Sequence, residues 1–154
     1  MRVFLAAPFT AMVETVDGRT LLALPFADLL ATLLATLRAR GCTVTSSHER
    51  ERWGADIYAP ERALAADLEQ IRLADLLVAL IGDPPSPGVQ MELGHALAFS
   101  KPIAAFHTQP FERLPHLTKG MASRAEVTIT RYDSAEELVN LVGQMALPGA
   151  APSL

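Results

Sequence analysis

The residues most suited to chemistry lie in one short segment, Ser86–Gly94, which reads SPGVQMELG. An apolar run before it, Leu76–Gly82, predicts a buried strand, and a second apolar run, Met91–Phe99, predicts a packed helix. A helix that begins at such a turn presents free backbone N–H groups and the positive end of its dipole to an anion. Glu92 places a carboxylate just inside this helix. Because a carboxylate beside an anion site is costly, the pairing indicates an enzyme acting on a small phosphorylated substrate.

The same residues also have a purely structural interpretation. Ser86 is a common N-cap residue, and Pro87 is favoured at the first position of a helix. Glu92 would then simply face the solvent. Taken alone, the segment favours this plainer interpretation, so the choice depends on the rest of the chain.

Length, composition and charge narrow the class of protein. The chain has 154 residues, of which 50% are hydrophobic and 19% are charged, which is typical of one folded domain. The net charge of −4 argues against a nucleic-acid or membrane-surface binder, which would need a basic face. It does not argue against one bound phosphate. We expect a single domain over residues 1–146 and a flexible C-terminal tail over residues 147–154.

The single cysteine and the histidines exclude other classes. Cys42 cannot form an intramolecular disulfide framework, which indicates a reducing compartment and predicts a cytoplasmic protein. His95 and His107 have no metal-ligand spacing with a cysteine or a carboxylate cluster, so we predict no metal site.

Strand and helix patterns alternate along the chain, which predicts an α/β fold with a parallel sheet and helices on both faces. The predicted strands are Val3–Ala7, Cys42–Ser46, Leu76–Gly82, Pro102–His107 and Val127–Arg131. The predicted helices are Leu21–Arg40, Pro60–Ala74, Gly88–Ser100 and Ser134–Met145. Five strands suggest the flavodoxin-like order 2-1-3-4-5, in which ligands bind beyond the C-terminal ends of strands 1 and 3. The Ser86 turn therefore falls where this topology places a ligand.

Several segments match the sequence pattern of one known family, and they are spread over nearly the whole chain, from Arg2 to about Val142. They are Ala6–Phe9, Asp67, Ala74–Asp75, Ser86–Gly88, Glu92–Gly94 and Lys101–Pro102. Together they resemble the nucleoside 2-deoxyribosyltransferase family. The resemblance implies a flavodoxin-like, oligomeric, cofactor-free enzyme that cleaves an N-glycosidic bond through a covalent glycosyl–glutamate intermediate.

The resemblance assigns roles to two carboxylates. Glu92 matches the glutamate that forms the covalent intermediate. Asp67 matches a residue that orients the ribose or assists the leaving base, although a surface helix aspartate is an equally simple interpretation. Asp75 begins a strand at the opposite edge of the sheet, so we assign it a structural role.

The residue six positions before Glu92 distinguishes two groups of the family. Transferases of unphosphorylated deoxynucleosides have aspartate there, which holds the sugar 5′-hydroxyl, whereas nucleoside 5′-monophosphate N-glycosidases have a phosphate-binding serine. This chain has Ser86. A serine hydroxyl and helix N–H groups donate to a phosphate, which a carboxylate would repel.

A further resemblance, to cytidylate and hydroxymethylcytidylate hydrolases, lies in two segments, His48–Ala55 and Thr10–Pro25. Those hydrolases have arginine where this chain has Thr10, so the preference for cytosine rests on the His48–Ala55 segment. Arg50 and Arg52 alternate with glutamates, which predicts a solvated mixed-charge stretch from which either arginine could reach a phosphate.

The site predicted in full contains Glu92 and Asp67 as catalytic residues. The predicted substrate contacts are Phe9, Thr10, His48, Trp53, Ser86, Pro87, Gly88 and Lys119. Phe9 and Trp53 could equally be ordinary core residues, and Lys119, or Thr118 beside it, would act on a neighbouring subunit's site or else lie in a surface loop.

The predicted activity is hydrolysis of a pyrimidine nucleoside 5′-monophosphate, CMP-like, to free base and ribose 5-phosphate by a homodimer or larger homo-oligomer. A base-exchanging deoxyribosyltransferase and a non-catalytic nucleotide-binding module are the alternatives. Release of free base from a nucleotide would exclude the non-catalytic binding module. Product analysis with and without an added free base would distinguish hydrolysis from base exchange.

Overall fold

A computed structural model describes residues 1–149 of the chain. Its strands are β1 (Arg2–Ala6), β2 (Val13–Val16), β3 (Arg19–Leu22), β4 (Thr43–Thr45), β5 (Leu76–Leu80), β6 (Ile103–His107) and β7 (Val127–Arg131). Its helices are α1 (Leu24–Ala39), α2 (Ser47–Arg50), α3 (Pro60–Leu73), α4 (Pro87–Ala98), α5 (His116–Met121) and α6 (Ala135–Gln144). Short 3-10 turns cover Thr10–Met12, Arg52–Gly54 and Phe111–Arg113. Of the segment predicted to be a flexible tail, Leu147 packs against the core, and residues 150–154 lie outside the described residues.

The central sheet has five parallel strands in the order β4-β1-β5-β6-β7. Counted along the chain, this is the predicted order 2-1-3-4-5, so the flavodoxin-like α/β fold is confirmed. The central strand β5 is buried at every position, as its continuous apolar sequence predicts. The C-terminal ends of β1 and β5 lie side by side, with Ala6 paired to Ala79.

Alternate residues of each strand supply two cores, one on each face of the sheet. On one face, Val3 and Leu5 of β1 pack with the leucines of α1 and with Leu138 of α6. On the other face, Phe4 packs with Ile71 of α3, and the same core includes residues of α4 and α5. Because side chains alternate between faces, one apolar strand anchors both helical layers. Helices α3 and α4 thereby share a face, which brings Asp67 and Glu92 to the same side.

The segment Thr10–Pro25, which carries part of the resemblance to the hydrolases, contains a β-hairpin. Strands β2 and β3 pair antiparallel around Asp17 and Gly18, both of which have positive φ. An Asp-Gly pair is a strong indicator of a hairpin turn, and Asp17-Gly18 is present in the sequence. Since Leu21 and Leu22 belong to β3, the prediction that the first helix begins at Leu21 is wrong. Helix α1 begins at Leu24, beside a proline.

Gly82, two residues after the end of β5, shapes the turn that leads to Ser86. Its φ is +84°, and a Cβ at this position would lie 2.8 Å from Cγ of Pro8. Glycine is therefore required on both conformational and steric grounds. The close approach joins the turns that follow β1 and β5, which are the two turns expected to hold a ligand.

Candidate active site

Helix α4 begins at Ser86 as an N-cap in an extended conformation, and Pro87 occupies its first turn. The Ser86 hydroxyl accepts a hydrogen bond from the Val89 N–H at 3.5 Å, which is the long limit for such a contact. Pro87 has no N–H, and the first turn contains no acidic residue. The hydroxyl and the Gly88 N–H therefore remain suited to contact an anion at the positive end of the helix dipole.

Glu92 lies one turn further along α4, and only 9% of it is exposed. Neither carboxylate oxygen makes a hydrogen bond with residues 1–149, and neither is among the side-chain atoms sealed from solvent. Burial raises the pKa of Glu92 well above its usual value, and the charge of Asp67 raises it further. A buried carboxylate without a partner is costly, and its accessible oxygens give it a surface at which a ligand can react.

Asp67, on α3, is held by an arginine from α2. Arg50 Nη1 donates to Asp67 Oδ1 at 2.9 Å and to Gln70 Oε1 at 3.2 Å, and Arg50 Nη2 donates to Glu51 Oε1 at 2.9 Å. Burial raises the pKa of Asp67, while the hydrogen bond and charge of Arg50 oppose that rise. Arg50 thus orients the Asp67 carboxylate, and the negative charge of Asp67 raises the pKa of Glu92.

The prediction of a solvated mixed-charge stretch is wrong for Arg50 and Glu51. Their side chains are only 13% and 5% exposed, because they pair with each other and Glu51 also accepts from the Tyr58 N–H. Arg52 is exposed, as predicted. Sequence reasoning missed Arg50 as a site residue because its partner Asp67 is 17 positions away on another helix.

His48 lies beneath the turn that follows β1 and is fully buried. Its Nε2 lies 3.0 Å from the Pro8 carbonyl oxygen, which can only accept, so Nε2 donates. Burial lowers the pKa of His48 to about 4, so the ring is neutral at physiological pH. The Phe9 ring stacks at 4.8 Å from the His48 ring. In this geometry His48 packs beneath the Phe9 ring and is fixed by its bond to the turn after β1.

The remaining predicted contacts are spread over the rim. Thr10 is exposed in the 3-10 turn after Phe9, and Trp53 is half-buried against the core on the α1 side of the sheet. Lys119 Nζ donates to the Glu112 carbonyl oxygen, and Thr118 donates to Gln90 of its own chain. Both α5 side chains are therefore engaged within the subunit.

Two polar groups that the sequence analysis did not assign to the site, Gln109 and His107, stabilise the Gly82 turn. Gln109 Nε2 donates to the Gly82 carbonyl oxygen at 3.1 Å, and His107 Nδ1 donates to the Gln109 carbonyl oxygen at 2.7 Å. Asp75, at the other edge of the sheet, accepts from the Arg2 N–H, in line with the structural role assigned to it.

A separate cavity of about 600 Å³ opens beside the hairpin. It is lined by Gly18, Arg19, Thr20, Leu21, Arg52, Gly54, Ala55 and Ile57. These residues include no carboxylate and no other nucleophile suited to breaking a glycosidic bond. We therefore place the candidate chemistry at Glu92 and not in this cavity.

Residues 1–149 contain no group of three or more metal-ligating side chains placed to hold an ion. Within the same residues, none of the helices combines the length and apolar character needed to cross a membrane.

Solved structures resemble this chain over most of its length. BlsM is 31% identical, with 92% of this chain and 86% of BlsM covered and a TM-score of 0.75. The CMP N-glycosidase BcmB of Clostridium botulinum is 24% identical, with coverage of 91% and 96% and a TM-score of 0.66. The 2-desoxiribosyltransferase of Leishmania mexicana is 15% identical, with coverage of 94% and 99% and a TM-score of 0.55. The last two likenesses establish the fold.

No curated protein sequence matches the chain significantly. The sequence profile described as nucleoside 2-deoxyribosyltransferase matches residues 26–141, which is most of the chain and includes both Asp67 and Glu92. Together with the identity to BlsM, this match confirms the predicted family and its nucleoside-processing chemistry. The chain belongs to the nucleoside 2-deoxyribosyltransferase family, a family of enzymes with N-glycosidase relatives.

Proposed function

We propose that the protein hydrolyses the N-glycosidic bond of a pyrimidine nucleoside 5′-monophosphate, CMP-like, to free base and ribose 5-phosphate. The observation that carries the proposal is Glu92, a buried carboxylate whose oxygens lack partners in residues 1–149 but are not sealed from solvent. A structural glutamate would be paired or solvated. A glutamate of this kind beside an uncharged anion site fits covalent catalysis on a phosphorylated sugar.

The reaction would proceed in two steps. First, a Glu92 carboxylate oxygen bonds to C1′ while the C1′–N bond breaks, and the base leaves with the electron pair and acquires a proton. Water then attacks C1′ and loses a proton, and the C1′–O bond to Glu92 breaks, which regenerates the carboxylate and releases ribose 5-phosphate. The transition states resemble an oxocarbenium ion, so a nearby negative charge stabilises both.

Phosphate recognition is assigned to the start of α4. The Ser86 hydroxyl and the Gly88 N–H would donate to the 5′-phosphate, and Pro87 fixes the turn that presents them. The absence of any acidic residue from the first turn of α4 supports this assignment. Three turns of helix behind these donors supply a favourable dipole.

Base recognition is assigned to the rim formed by Phe9, Thr10 and Trp53. Phe9 supports this best, because its ring is half-buried and braced by His48 at 4.8 Å. A cytosine preference is favoured by the resemblance of the His48–Ala55 segment and by the fold shared with BcmB, a CMP N-glycosidase. Thr10 cannot reproduce an arginine's two-pronged contact, so selectivity for cytosine would come from other groups.

We also propose that the active form is a homodimer or a larger homo-oligomer. Helices α4 and α5 are joined by the bond between Thr118 and Gln90, and α4 exposes Met91 (57%) while α5 exposes Leu117 (83%). Exposed large apolar side chains favour a protein contact. Lys119 would then exchange its bond to a carbonyl for the phosphate of the adjacent subunit's substrate. Light scattering on active protein tests this, and a fully active monomer would contradict it.

A cytoplasmic location completes the proposal and rests on the single, buried Cys42.

The catalytic proposal is tested by measuring the release of free base from cytidylate, uridylate, their deoxy forms and cytidine. We expect cytidylate to be cleaved faster than cytidine by orders of magnitude. Equal rates would overturn the role of Ser86.

A base-exchanging deoxyribosyltransferase is the second candidate, favoured by the family profile over residues 26–141. The two activities differ in what attacks the glycosyl–enzyme intermediate, either water or a second base. Supplying a free acceptor base together with a deoxynucleotide distinguishes them. 2-Deoxyribose 5-phosphate as the main sugar product supports hydrolysis, and a new deoxynucleotide as the main product supports the transferase.

A further inference from the structure

Arg50 is the centre of a buried polar cluster on the α2 side of the site. Its guanidinium bonds to three acceptors, on Asp67, Glu51 and Gln70, and its Cζ lies 5.1 Å from the centre of the Tyr58 ring. Glu51 is itself fixed, because its other oxygen accepts from the Tyr58 N–H at 3.0 Å. With bonds on both sides and a ring packed against it, the guanidinium has one defined position.

The charges around this cluster do not balance. Three carboxylates, those of Glu51, Asp67 and Glu92, interact with the one guanidinium of Arg50. The charge of His95, on α4, also acts on Asp67. His48 of α2 interacts with Arg50 and Glu51, but burial keeps its ring neutral. Removing the guanidinium would therefore leave an uncompensated set of acids around the site.

We infer that Arg50 is the positioning residue of the catalytic carboxylates: it holds Asp67 through Oδ1, and its positive charge favours the ionised form of the Glu92 carboxylate. The inference rests on the proposed function, because it matters only if Glu92 reacts as a carboxylate. The ion pair leaves Asp67 Oδ2 without a hydrogen bond to residues 1–149. That oxygen is available to accept from a ribose hydroxyl.

This arrangement assigns Asp67 the sugar-orienting role of the two that the family resemblance offers. The Arg50 bond fixes Asp67 Oδ1, so the free Oδ2 is a hydrogen-bond acceptor with one defined position. Asp67 and Glu92 would then both act on the sugar.

The test is the pH dependence of kcat/KM for cytidylate in the wild type, Arg50→Met, Arg50→Lys and Glu51→Gln. Without the Arg50 charge, Glu92 holds its proton to higher pH. The acid limb of the profile should move up by about half a pH unit or more in Arg50→Met. Arg50→Lys keeps the charge and should restore the limb, although not the full rate, since an ammonium cannot bond to both carboxylates in the same geometry. Glu51→Gln removes a negative charge that competes for Arg50, so the acid limb should move to lower pH.

Arg72→Met is the matched control. Arg72 lies on α3 like Asp67 and pairs with Glu69, but both side chains are more than half exposed. It should change neither rate nor profile. If Arg50→Met does not fold, Arg50→Lys and Glu51→Gln carry the test. An acid limb unmoved in every folded variant overturns the role of Arg50, whereas a wild type that releases no base overturns the proposed function instead.

Discussion

Helices α4 and α6 both begin at a serine that accepts from the N–H three residues later, but their acidic residues are used in opposite ways. In α6, Ser134 accepts from Glu137 N at 3.1 Å, and the Glu137 carboxylate accepts from Asp133 N at 2.8 Å. In α4, the serine bond is 3.5 Å long, and Glu92 is buried without a hydrogen bond in residues 1–149.

The difference separates a helix end built for stability from one built for a ligand. The reciprocal contacts at α6 satisfy N–H groups that would otherwise be unpaired, and its acids complement the helix dipole. At α4 the positive end of the helix has no acid in its first turn, and Glu92 lowers stability. Features that are costly to a helix and concentrated in one place are expected at functional sites.

The largest expected effect comes from the acid of α4. Replacing the proposed nucleophile in Glu92→Gln removes the covalent step, so turnover should fall by at least about 1,000-fold, or about 4 kcal/mol of barrier. The matched change at α6, Glu137→Gln, alters an exposed capping residue and should leave turnover within about twofold. Base release is measured for both, and near-wild-type turnover in Glu92→Gln would remove the mechanism.

The next effect tests the two serines. Ser86→Asp keeps a good N-cap residue but places a negative charge where the phosphate would bind. Cytidylate cleavage should fall by about 100-fold, while any cleavage of cytidine should change much less, because charge-assisted bonds contribute about 1.5–3 kcal/mol each. Ser134→Asp is the control and should alter neither. Equal losses for nucleotide and nucleoside would contradict phosphate binding at α4.

The third effect concerns stability and its pH dependence. The folded pKa of Glu92 is raised, so the folded state binds more protons than the unfolded state above pH 4.5, and stability falls as the pH rises through the folded pKa. Glu92→Gln should therefore raise the free energy of unfolding at pH 8 by roughly 1–3 kcal/mol. The gain should disappear near pH 4. Denaturant unfolding at both pH values measures it, and a destabilised variant at pH 8 would mean that Glu92 is paired.

The smallest effect compares the two caps directly. Ser134→Ala should lower stability by about 1 kcal/mol, as is typical for the loss of an N-cap. Ser86→Ala should cost less than this, because its bond to Val89 N is long, but it should lower kcat/KM for cytidylate where Ser134→Ala does not. Thermal unfolding and kinetics of both variants measure these effects. A larger loss of stability in Ser86→Ala than in Ser134→Ala would make Ser86 a structural cap.

Most of the sheet could be predicted because its strands are short apolar runs with clear boundaries. Helix α6 was equally clear, since Ser134 and Glu137 form a capping pattern in the sequence itself. The hairpin after β1 was missed although Asp17 and Gly18 indicate it, because the leucines after it also fit a helical period.

The site residues also differ in how clearly the sequence reveals them. Ser86 and Glu92 stand out in the sequence because their local context is unusual for a helix. Arg50 does not, because its charge alternates with glutamates as on any solvated surface, and its contact with Asp67 exists only after α2 and α3 pack together. The burial of His48 beneath Pro8 likewise depends on tertiary packing that the sequence alone does not reveal.

The most direct test of the account is to look for the covalent intermediate on Glu92. The wild-type protein is mixed with cytidylate, quenched in acid within its first turnovers, digested and examined by mass spectrometry, with Glu92→Gln treated identically. We predict a ribose 5-phosphate adduct on the peptide that contains Glu92, which is absent from the variant. Base release by the wild type with no adduct at any quench time, together with an active Glu92→Gln, would contradict the claim that Glu92 is the nucleophile.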